Sequence, residues 1–234
     1  MNSMPEYSNI EHRIHTWARN VLPFFIIRRV TPIYYASNRW RFKFMKRPIL
    51  PQQSTYCRPR REQEEFFDKY CSGKGIDIGW GGDPITPDVK GWDIEDGDAH
   101  HMASVTDEEF DFVYSSHCLE HMEDLELTLR NWWRILKKGG FLILYLPDRD
   151  LFEKKKKLPS RFSLDHKHFF MLDADEPPDT IGVLPLIERT LTGYRIEYAK
   201  ICDYGLTIRD PLRHSDGEYS IEVVIAKERS ATYS

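Results

Sequence analysis

The sequence predicts an open, doubly wound α/β sheet preceded by a basic helical extension. Strand-like and helix-like patterns alternate from residue 74 onward, a glycine-rich turn follows the first strand-like run, and one amphipathic helix leads into a continuous apolar run. Sheets of this kind bind ligands outside the carboxyl ends of their strands. We therefore search for functional residues where each predicted strand ends.

Four runs predict the core strands, and each ends in polar or glycine-rich sequence. They are residues 74–79, 89–94, 110–115 and 141–146. The apolar residues of 124–138 recur at helical spacing, and Gly139-Gly140 follows them as a helix stop. A weaker helix is expected near 180–190, and two closing strands are expected at 194–202 and 218–226.

Length and composition fit one globular domain with an extension. The chain has 234 residues, of which 41% are hydrophobic and 30% charged, and these values argue against a disordered or fibrous protein. The four cysteines lack metal-type spacing and are expected to be free thiols in a reducing compartment. We expect a cytoplasmic protein, with peripheral contact to the inner membrane face as an option.

Residues 1–60 form a basic and aromatic extension with a linker, and residues 61–230 are predicted to form the main domain. The extension holds eleven Lys or Arg against Glu6 and Glu11, although the whole chain has a net charge of −4. Amphipathic helices are expected within 11–47, and the apolar run 21–27 is too short to span a bilayer. The aromatic residues concerned are Trp17, Phe24, Phe25, Tyr34, Tyr35 and Trp40.

Three kinds of partner fit this extension. We favour a role in which the extension caps the domain or contacts a second copy or a partner enzyme. It could instead lie on a membrane surface. Nucleic acid is the third option, because arginines can neutralise phosphates.

The turn after the first strand is a candidate nucleotide site. In 77–81, glycines allow backbone amides to approach a ligand, although a tight turn alone would look the same. Asp93, which ends the second strand, could accept ribose hydroxyls, and Asp98 could accept an adenine amino group. The alternative is that these carboxylates belong to a solvated acidic turn.

Several motifs, in this order, resemble the class I S-adenosylmethionine-dependent methyltransferases of the type 11 group. They are Asp77-x-Gly79-x-Gly81, Asp93, Gly97-Asp98-Ala99, the run 110–121 and the run 133–140. The resemblance implies a Rossmann-like seven-stranded sheet with its last strand antiparallel, and S-adenosylmethionine as the cofactor. It implies a cofactor site made by Asp77, Gly79, Trp80, Gly81, Asp93, Asp98, Ala99, Ser116 and His117.

The sequence departs from the family pattern at two points. Asp83 stands where the family often has a third glycine. The stretch from Gly81 to Asp93 is too short for a full crossover helix, which parallel neighbours normally need. We expect another segment, such as the N-terminal extension, to cover that face of the sheet.

Histidines are the candidates for catalysis, because a hydroxyl acceptor must lose a proton when it is methylated. His117 and His121 are one helical turn apart after the third strand, and either could instead be structural. In the connection after the fourth strand, Asp165 and His168 could form an orienting dyad beside His166. Structural hydrogen bonding is the alternative, and two histidines with one aspartate are weak evidence for zinc, so no metal is predicted.

We therefore predict His166, His168 and His117 as catalytic residues and Asp165, Arg161 and His121 as acceptor-binding residues. Lys154 to Lys157 precede Arg161 and could receive an acceptor phosphate, or could form an ordinary solvated charge run.

The predicted activity is methyl transfer from S-adenosylmethionine to a hydroxyl of a sugar, glycan or other small acceptor. The resemblance extends to members associated with bacterial surface-polysaccharide biosynthesis. One alternative is an RNA methyltransferase that grips RNA with the basic arm, which the lack of an Asn-Pro-Pro-Tyr-type motif at 145–148 disfavours. The other is a non-catalytic scaffold or partner module that keeps the fold.

Overall fold

The computed structural model describes residues 21, 24–45 and 52–229. Six α-helices lie in these residues: α1 (Phe24–Met45), α2 (Gln53–Tyr56), α3 (Arg58–Gln63), α4 (Phe66–Tyr70), α5 (Leu125–Ile135) and α6 (Val183–Thr190). The eight strands are β1 (Gly75–Ile78), β2 (Lys90–Trp92), β3 (Phe110–Ser116), β4 (Leu136–Pro147), β5 (Phe169–Met171), β6 (Thr180–Gly182), β7 (Tyr194–Cys202) and β8 (Ser220–Lys227).

Six strands form the main sheet in the order β2-β1-β3-β4-β8-β7. The pairs β1–β2, β1–β3 and β3–β4 are parallel, and β8 is antiparallel to both β4 and β7. The mixed α/β sheet and the antiparallel last strand are confirmed. β5 and β6 form a separate parallel pair.

The expectation of seven strands in this sheet is wrong for the described part of the chain. Residues 93–109, between β2 and β3, contain turns and neither a helix nor a strand. This stretch is short, rich in Asp and Glu, and lacks an alternating apolar run, so it cannot supply a buried edge strand.

The two faces of the sheet are covered by different helices. On one face, α5 buries Leu125, Leu129, Trp132 and Ile135 at helical spacing, and α6 packs into the same core. Asp124 caps α5 by accepting a hydrogen bond of 2.9 Å from the Leu127 amide. The sequence prediction for α5 was close, but the helix ends at Ile135 and β4 begins before Gly139.

The other face is covered by residues 53–70. The connection between β1 and β2 contains no helix, and Ile85 from this connection joins Cys57 and Phe66 in a second core against β3 and β4. The predicted linker at 48–59 is therefore helical over much of its described part. α3 also runs across residue 60, where the extension was expected to end.

α1 contacts the sheet domain near the end of β1. Phe42 is buried and its ring meets Trp80 edge-on at 5.8 Å, while Trp40 is exposed. Trp17 lies outside the described residues. Among the described residues, no helix combines the length and apolar character that a membrane span requires.

A buried ion-pair network ties α3 to β8. Arg61 is fully buried, its Nε donates to Glu222 Oε2 at 2.7 Å, and its guanidinium lies 4.5 Å from the centre of the Phe66 ring. Arg60 donates to Glu218 at 2.7 Å. Burial alone would raise the pKa of Glu222, but the guanidinium groups of Arg61 and Arg60 outweigh burial and lower the pKa to about 2. The carboxylate is therefore charged and paired in the interior.

Replacing Arg61 should destabilise the fold strongly. We expect Arg61→Ala to lower the free energy of unfolding by about 3–5 kcal/mol, because it leaves Glu222 buried with part of its pairing lost. Urea denaturation followed by circular dichroism measures this. Arg195→Ala is the control: Arg195 is 65% exposed beside Glu197, and its loss should cost less than about 1 kcal/mol. Equal losses in the two variants would contradict the role of the buried pair.

Candidate active site

The turn after β1 has the backbone conformation that the glycine-rich sequence predicts. Gly79, Gly81 and Gly82 have φ values of 78°, 52° and 88°, in the region that favours glycine. A Cβ on Gly79 would lie 2.6 Å from the Cβ of Cys118, so glycine is also required for the close approach of the two loops. The turn therefore lies directly against the end of β3.

A cavity of about 240 Å³ opens at the carboxyl ends of β1, β2 and β3. Gly79, Trp80 and Gly81 line one part of it, together with Asp93 after β2 and Ser116 and His117 at the end of β3. The structure thus brings six of the nine predicted cofactor residues to one cavity. Its position agrees with the rule that open α/β sheets bind ligands at this edge.

Asp93 is paired with the N-terminal helix. Its Oδ2 accepts a hydrogen bond of 2.9 Å from Arg39 Nη1, and Arg39 Nε contacts Glu95 at 2.6 Å. Its Oδ1 accepts a hydrogen bond from the Ile94 amide at 2.8 Å. A carboxylate has about four acceptor positions, so Asp93 could still accept ribose hydroxyls on its cavity side.

The other three predicted cofactor residues do not line this cavity. Asp77 is buried below the turn, where its Oδ2 accepts from the Ile85 amide at 2.8 Å, and burial raises its pKa. Asp98 is exposed and accepts hydrogen bonds from His100. The Ala99 carbonyl accepts from Trp132 Nε1 at 2.9 Å. In this geometry the three residues support the surrounding loops.

A second cavity of about 590 Å³ shares Trp80 with the first. α1 contributes Ala36, Arg39 and Phe42 to its wall, and the acidic turn contributes Glu95 and Asp96. The N-terminal extension is therefore part of the walls around the strand ends.

Asp83, at the family's third glycine position, faces away from the first cavity and orders the segment beside it. Its carboxylate accepts from the amides of Gln52 and Thr55 at 2.9 and 3.1 Å and from Thr55 Oγ1 at 2.6 Å. Gln52, Gln53, Ser54 and Tyr56 line the cavity. The residue at this departure from the family pattern thus orders one wall of the cavity.

The far wall of the cavity is a cluster of titratable groups. Glu120 and His121 come from a 3₁₀ turn, Leu119–His121, and His166 comes from the connection after β4. Oε1 of Glu120 lies 3.8 Å from Nδ1 of His117, from Nε2 of His121 and from Nε2 of His166. The predicted candidates His117, His121 and His166 therefore meet around a carboxylate that sequence reasoning did not select.

The pKa values of this cluster follow from burial and pairing. Burial raises the pKa of Glu120. Burial would lower the pKa of His121, but Asp165 and Glu120 outweigh it and raise the value to about 9. Asp165 Oδ2 lies 3.2 Å from His121 Nδ1. Asp165 itself does not line the cavity and reaches it only through His121.

The remaining predicted residues lie away from the cavity wall. Arg161 is exposed, and His168 is half-buried and does not line the cavity. Lys154 donates to the carbonyls of Ile208, Asp210 and Arg213. Lys154 thus acts as a cross-link between loops, and this arrangement gives no support to an acceptor-phosphate site there.

Several site residues were missed in the sequence. Glu153 Oε1 lies 2.6 Å from His166 Nδ1, Ser220 Oγ lies 2.8 Å from His117 Nε2, and Phe152 and Tyr219 line the cavity. Glu120 had a usable pattern, because it lies between two histidines after a core strand. Ser220 had none, since its partner His117 is 103 residues away. Glu153 had none, because the irregular connection that it shares with His166 has no periodic spacing.

The role of Asp83 can be tested on residues 52–56, the wall segment, which its carboxylate holds in place. We expect Asp83→Ala to speed amide hydrogen exchange in residues 52–56, because it removes three hydrogen bonds to a buried carboxylate, each worth about 1.5–3 kcal/mol. Exchange measured by mass spectrometry on peptic fragments reports this directly. The exposed Asp88 lies on the same connection, and Asp88→Ala should leave exchange unchanged. Equal protection of residues 52–56 from exchange in the two variants would show that Asp83 does not order this segment.

Residues 83–144 match the family model described as a methyltransferase domain. The matched range includes Asp93, β3, the 3₁₀ turn and most of β4, but it is a minor part of the chain. It supports a class I S-adenosylmethionine-dependent methyltransferase domain, and it implies S-adenosylmethionine as the cofactor, as expected from the sequence. No curated protein matches the chain closely enough to count as a relative.

Solved structures of similar shape include methyltransferases. A Thermotoga maritima protein described as an S-adenosylmethionine-dependent methyltransferase, possibly a histamine N-methyltransferase, has a TM-score of 0.43 and 19% identity, over 94% of this chain and 98% of its own. A putative methyltransferase of Bacillus halodurans has a TM-score of 0.44 and 15% identity, over 67% and 93%. At these scores neither likeness bears on the activity of this chain.

Proposed function

We propose that the protein transfers a methyl group from S-adenosylmethionine to a hydroxyl of a sugar, glycan or other small acceptor. The observation that carries the proposal is the cavity in which the glycine turn, Asp93 and the end of β3 meet the histidine cluster. The family match over 83–144 supports the same activity.

The donor half of the site fits an adenosyl sulfonium. Gly79 to Gly81 present backbone without bulky side chains at the end of β1, and Asp93 offers a carboxylate for the ribose. Ser116 and His117 line the part of the cavity next to the histidine cluster, where the methionine end would lie. When bound, S-adenosylmethionine supplies an electrophilic methyl group on sulfur.

The acceptor half of the site has the groups that a hydroxyl requires. Methylation breaks the sulfur–methyl bond, forms an oxygen–methyl bond and releases the hydroxyl proton. His166 is buried at the cavity with Nδ1 bound to Glu153, which orients its Nε2 toward the cluster. A placed imidazole of this kind typically contributes about 10²–10⁴-fold, and alignment of the two substrates up to about 7–11 kcal/mol.

The lining also favours a polyhydroxylated acceptor. Gln53, Ser54 and Ser163 add amide and hydroxyl groups to the cavity lining, and the rings of Phe152 and Tyr219 also line it. Hydrogen-bonding groups beside aromatic rings are suited to sugar rings, which have polar edges and apolar faces. His121, held by Asp165, is the predicted acceptor contact at the histidine end.

Donor binding is tested by calorimetry with S-adenosylmethionine and S-adenosylhomocysteine. We expect both to bind, and Asp93→Asn to weaken binding about 10–100-fold, as for a lost hydrogen bond to a charged group. Asp68→Asn on the exposed side of α4 is the control and should bind as the parent protein does. No heat with either ligand would favour the non-catalytic scaffold, and unchanged affinity in Asp93→Asn would exclude the ribose assignment.

The acceptor class is tested with isotope-labelled donor and a panel of mono- and oligosaccharides, small alcohols, amines and RNA. The expected product is a methyl ether, identified by mass spectrometry of the purified acceptor. Labelling of RNA or of an amine, with no labelled hydroxyl compound, would contradict the proposed acceptor.

A further inference from the structure

Glu120 is a fully buried carboxylate without hydrogen bonds to its oxygens. Its relative exposure is 0%, and neither Oε1 nor Oε2 has a hydrogen-bond partner among the residues that the structure describes. Burying such a group is costly unless it is paired or binds a metal ion. The orphaned carboxylate faces the cavity of the candidate active site.

The Nε2 atoms of His121 and His166 lie at distances from the Glu120 carboxylate that suit three ligands of one metal ion. Nε2 of His121 and Nε2 of His166 are each 3.8 Å from Oε1, which is too long for a hydrogen bond. Two ligand atoms bound about 2.1 Å from one tetrahedral ion lie roughly 3.4 Å apart. The ligand atoms of Glu120, His121 and His166 all fall within 4.8 Å of one another. Small side-chain shifts would bring them onto one ion.

The outer nitrogen of each imidazole is already held. His166 Nδ1 contacts Glu153 Oε1 at 2.6 Å, and His121 Nδ1 contacts Asp165 Oδ2 at 3.2 Å. These contacts turn both Nε2 atoms toward Glu120. A carboxylate bound to the far nitrogen is the usual support for a metal-binding histidine, because it fixes the ring and its tautomer.

We propose that Glu120, His121 and His166 bind a divalent transition-metal ion at the acceptor end of the cavity. Two imidazoles and one carboxylate suit Zn²⁺, Mn²⁺ or Fe²⁺ better than Mg²⁺, which prefers oxygen ligands. All three residues line the cavity, so the remaining coordination position is open to a ligand from that side.

The role of the ion rests on the proposed methyl transfer. With the ion bound, Nε2 of His166 and Nε2 of His121 are ligands, so the ion takes over the part that His166 plays as proton acceptor in the metal-free site. The acceptor hydroxyl would bind at the open position, where the ion lowers its pKa, as it does for bound water. The proton leaves to solvent, the oxygen forms the bond to the methyl group, and the sulfur keeps the electron pair of the broken bond. His117, whose Nδ1 is also 3.8 Å from Glu120 Oε1, lies between this site and the donor half.

Metal binding is tested on the full chain after treatment with a chelator and dialysis. Calorimetry with Zn²⁺, Mn²⁺ and Mg²⁺ should show one site per chain that prefers Zn²⁺ or Mn²⁺ to Mg²⁺. Glu120→Gln, close in shape to the native residue, should abolish it. Glu153→Gln should weaken it about 10–100-fold, as for other groups that support a ligand.

Matched controls separate the site from surface histidines. His101, which lies beside Asp98, and Glu123 are exposed, and His101→Ala and Glu123→Gln should bind the metal as the parent protein does. Co²⁺ should give a visible absorption band that Glu120→Gln loses, and circular dichroism checks that this variant folds. Binding that survives in Glu120→Gln, or that is lost in His101→Ala, would overturn the proposed site.

Metal binding and its role in methyl transfer can be tested separately. If methyl transfer to a hydroxyl is found, removal of the metal should lower kcat at least about 100-fold and leave the affinity for S-adenosylmethionine unchanged. Full turnover in metal-free protein would overturn the role in transfer. Metal bound at Glu120 in a protein that does not bind S-adenosylmethionine would refute the methyltransferase proposal and keep the site.

Discussion

The site depends on the buried pairing of Arg60 and Arg61 with Glu218 and Glu222. This network fixes α3 on β8 across the sheet face that the short β1–β2 connection leaves uncovered. The chain on the N-terminal side of α3 forms one wall of the cavity, and Tyr219 and Ser220 lie between the two glutamates. Since unpaired buried charges are costly, the wall segment and the start of β8 are held in one relative position.

The missing crossover helix explains why an N-terminal segment is part of the site. In its place, α2 to α4 cover the sheet, Asp83 caps the start of that segment, and Arg39 of α1 reaches Asp93. Asp83, at a position where the family often has glycine, thus holds the segment that lies where a crossover helix would be expected. The cavity, which we propose binds the donor at this end, is therefore built by the strand ends together with chain that precedes the sheet.

Local patterns were enough to predict much of the fold and several residues that line the cavity at the strand ends. α5, β3 and β4 follow from apolar spacing within single segments, and Gly79 and Asp93 follow from their positions at strand ends. The seventh strand was inferred from the family, and the acidic stretch 93–109 could not form it. Asp98 was predicted as an adenine contact, but its carboxylate turns to His100, a choice that sequence spacing does not reveal.

The histidine cluster could be predicted only in part, because its contacts join separate segments of the chain. His117 and His121 were candidates from their spacing. Glu120 becomes a candidate only in the fold, where Nε2 of His166, from the connection after β4, lies 3.8 Å from its Oε1. Glu153 and Asp165 then orient His166 and His121 from the same connection. One long connection thus supplies a histidine and both supporting carboxylates, while the turn after β3 supplies Glu120 and His121. Because the proposed donor half uses other strand ends, substitutions in that connection should alter the proposed acceptor end and leave the glycine turn and Asp93 in place.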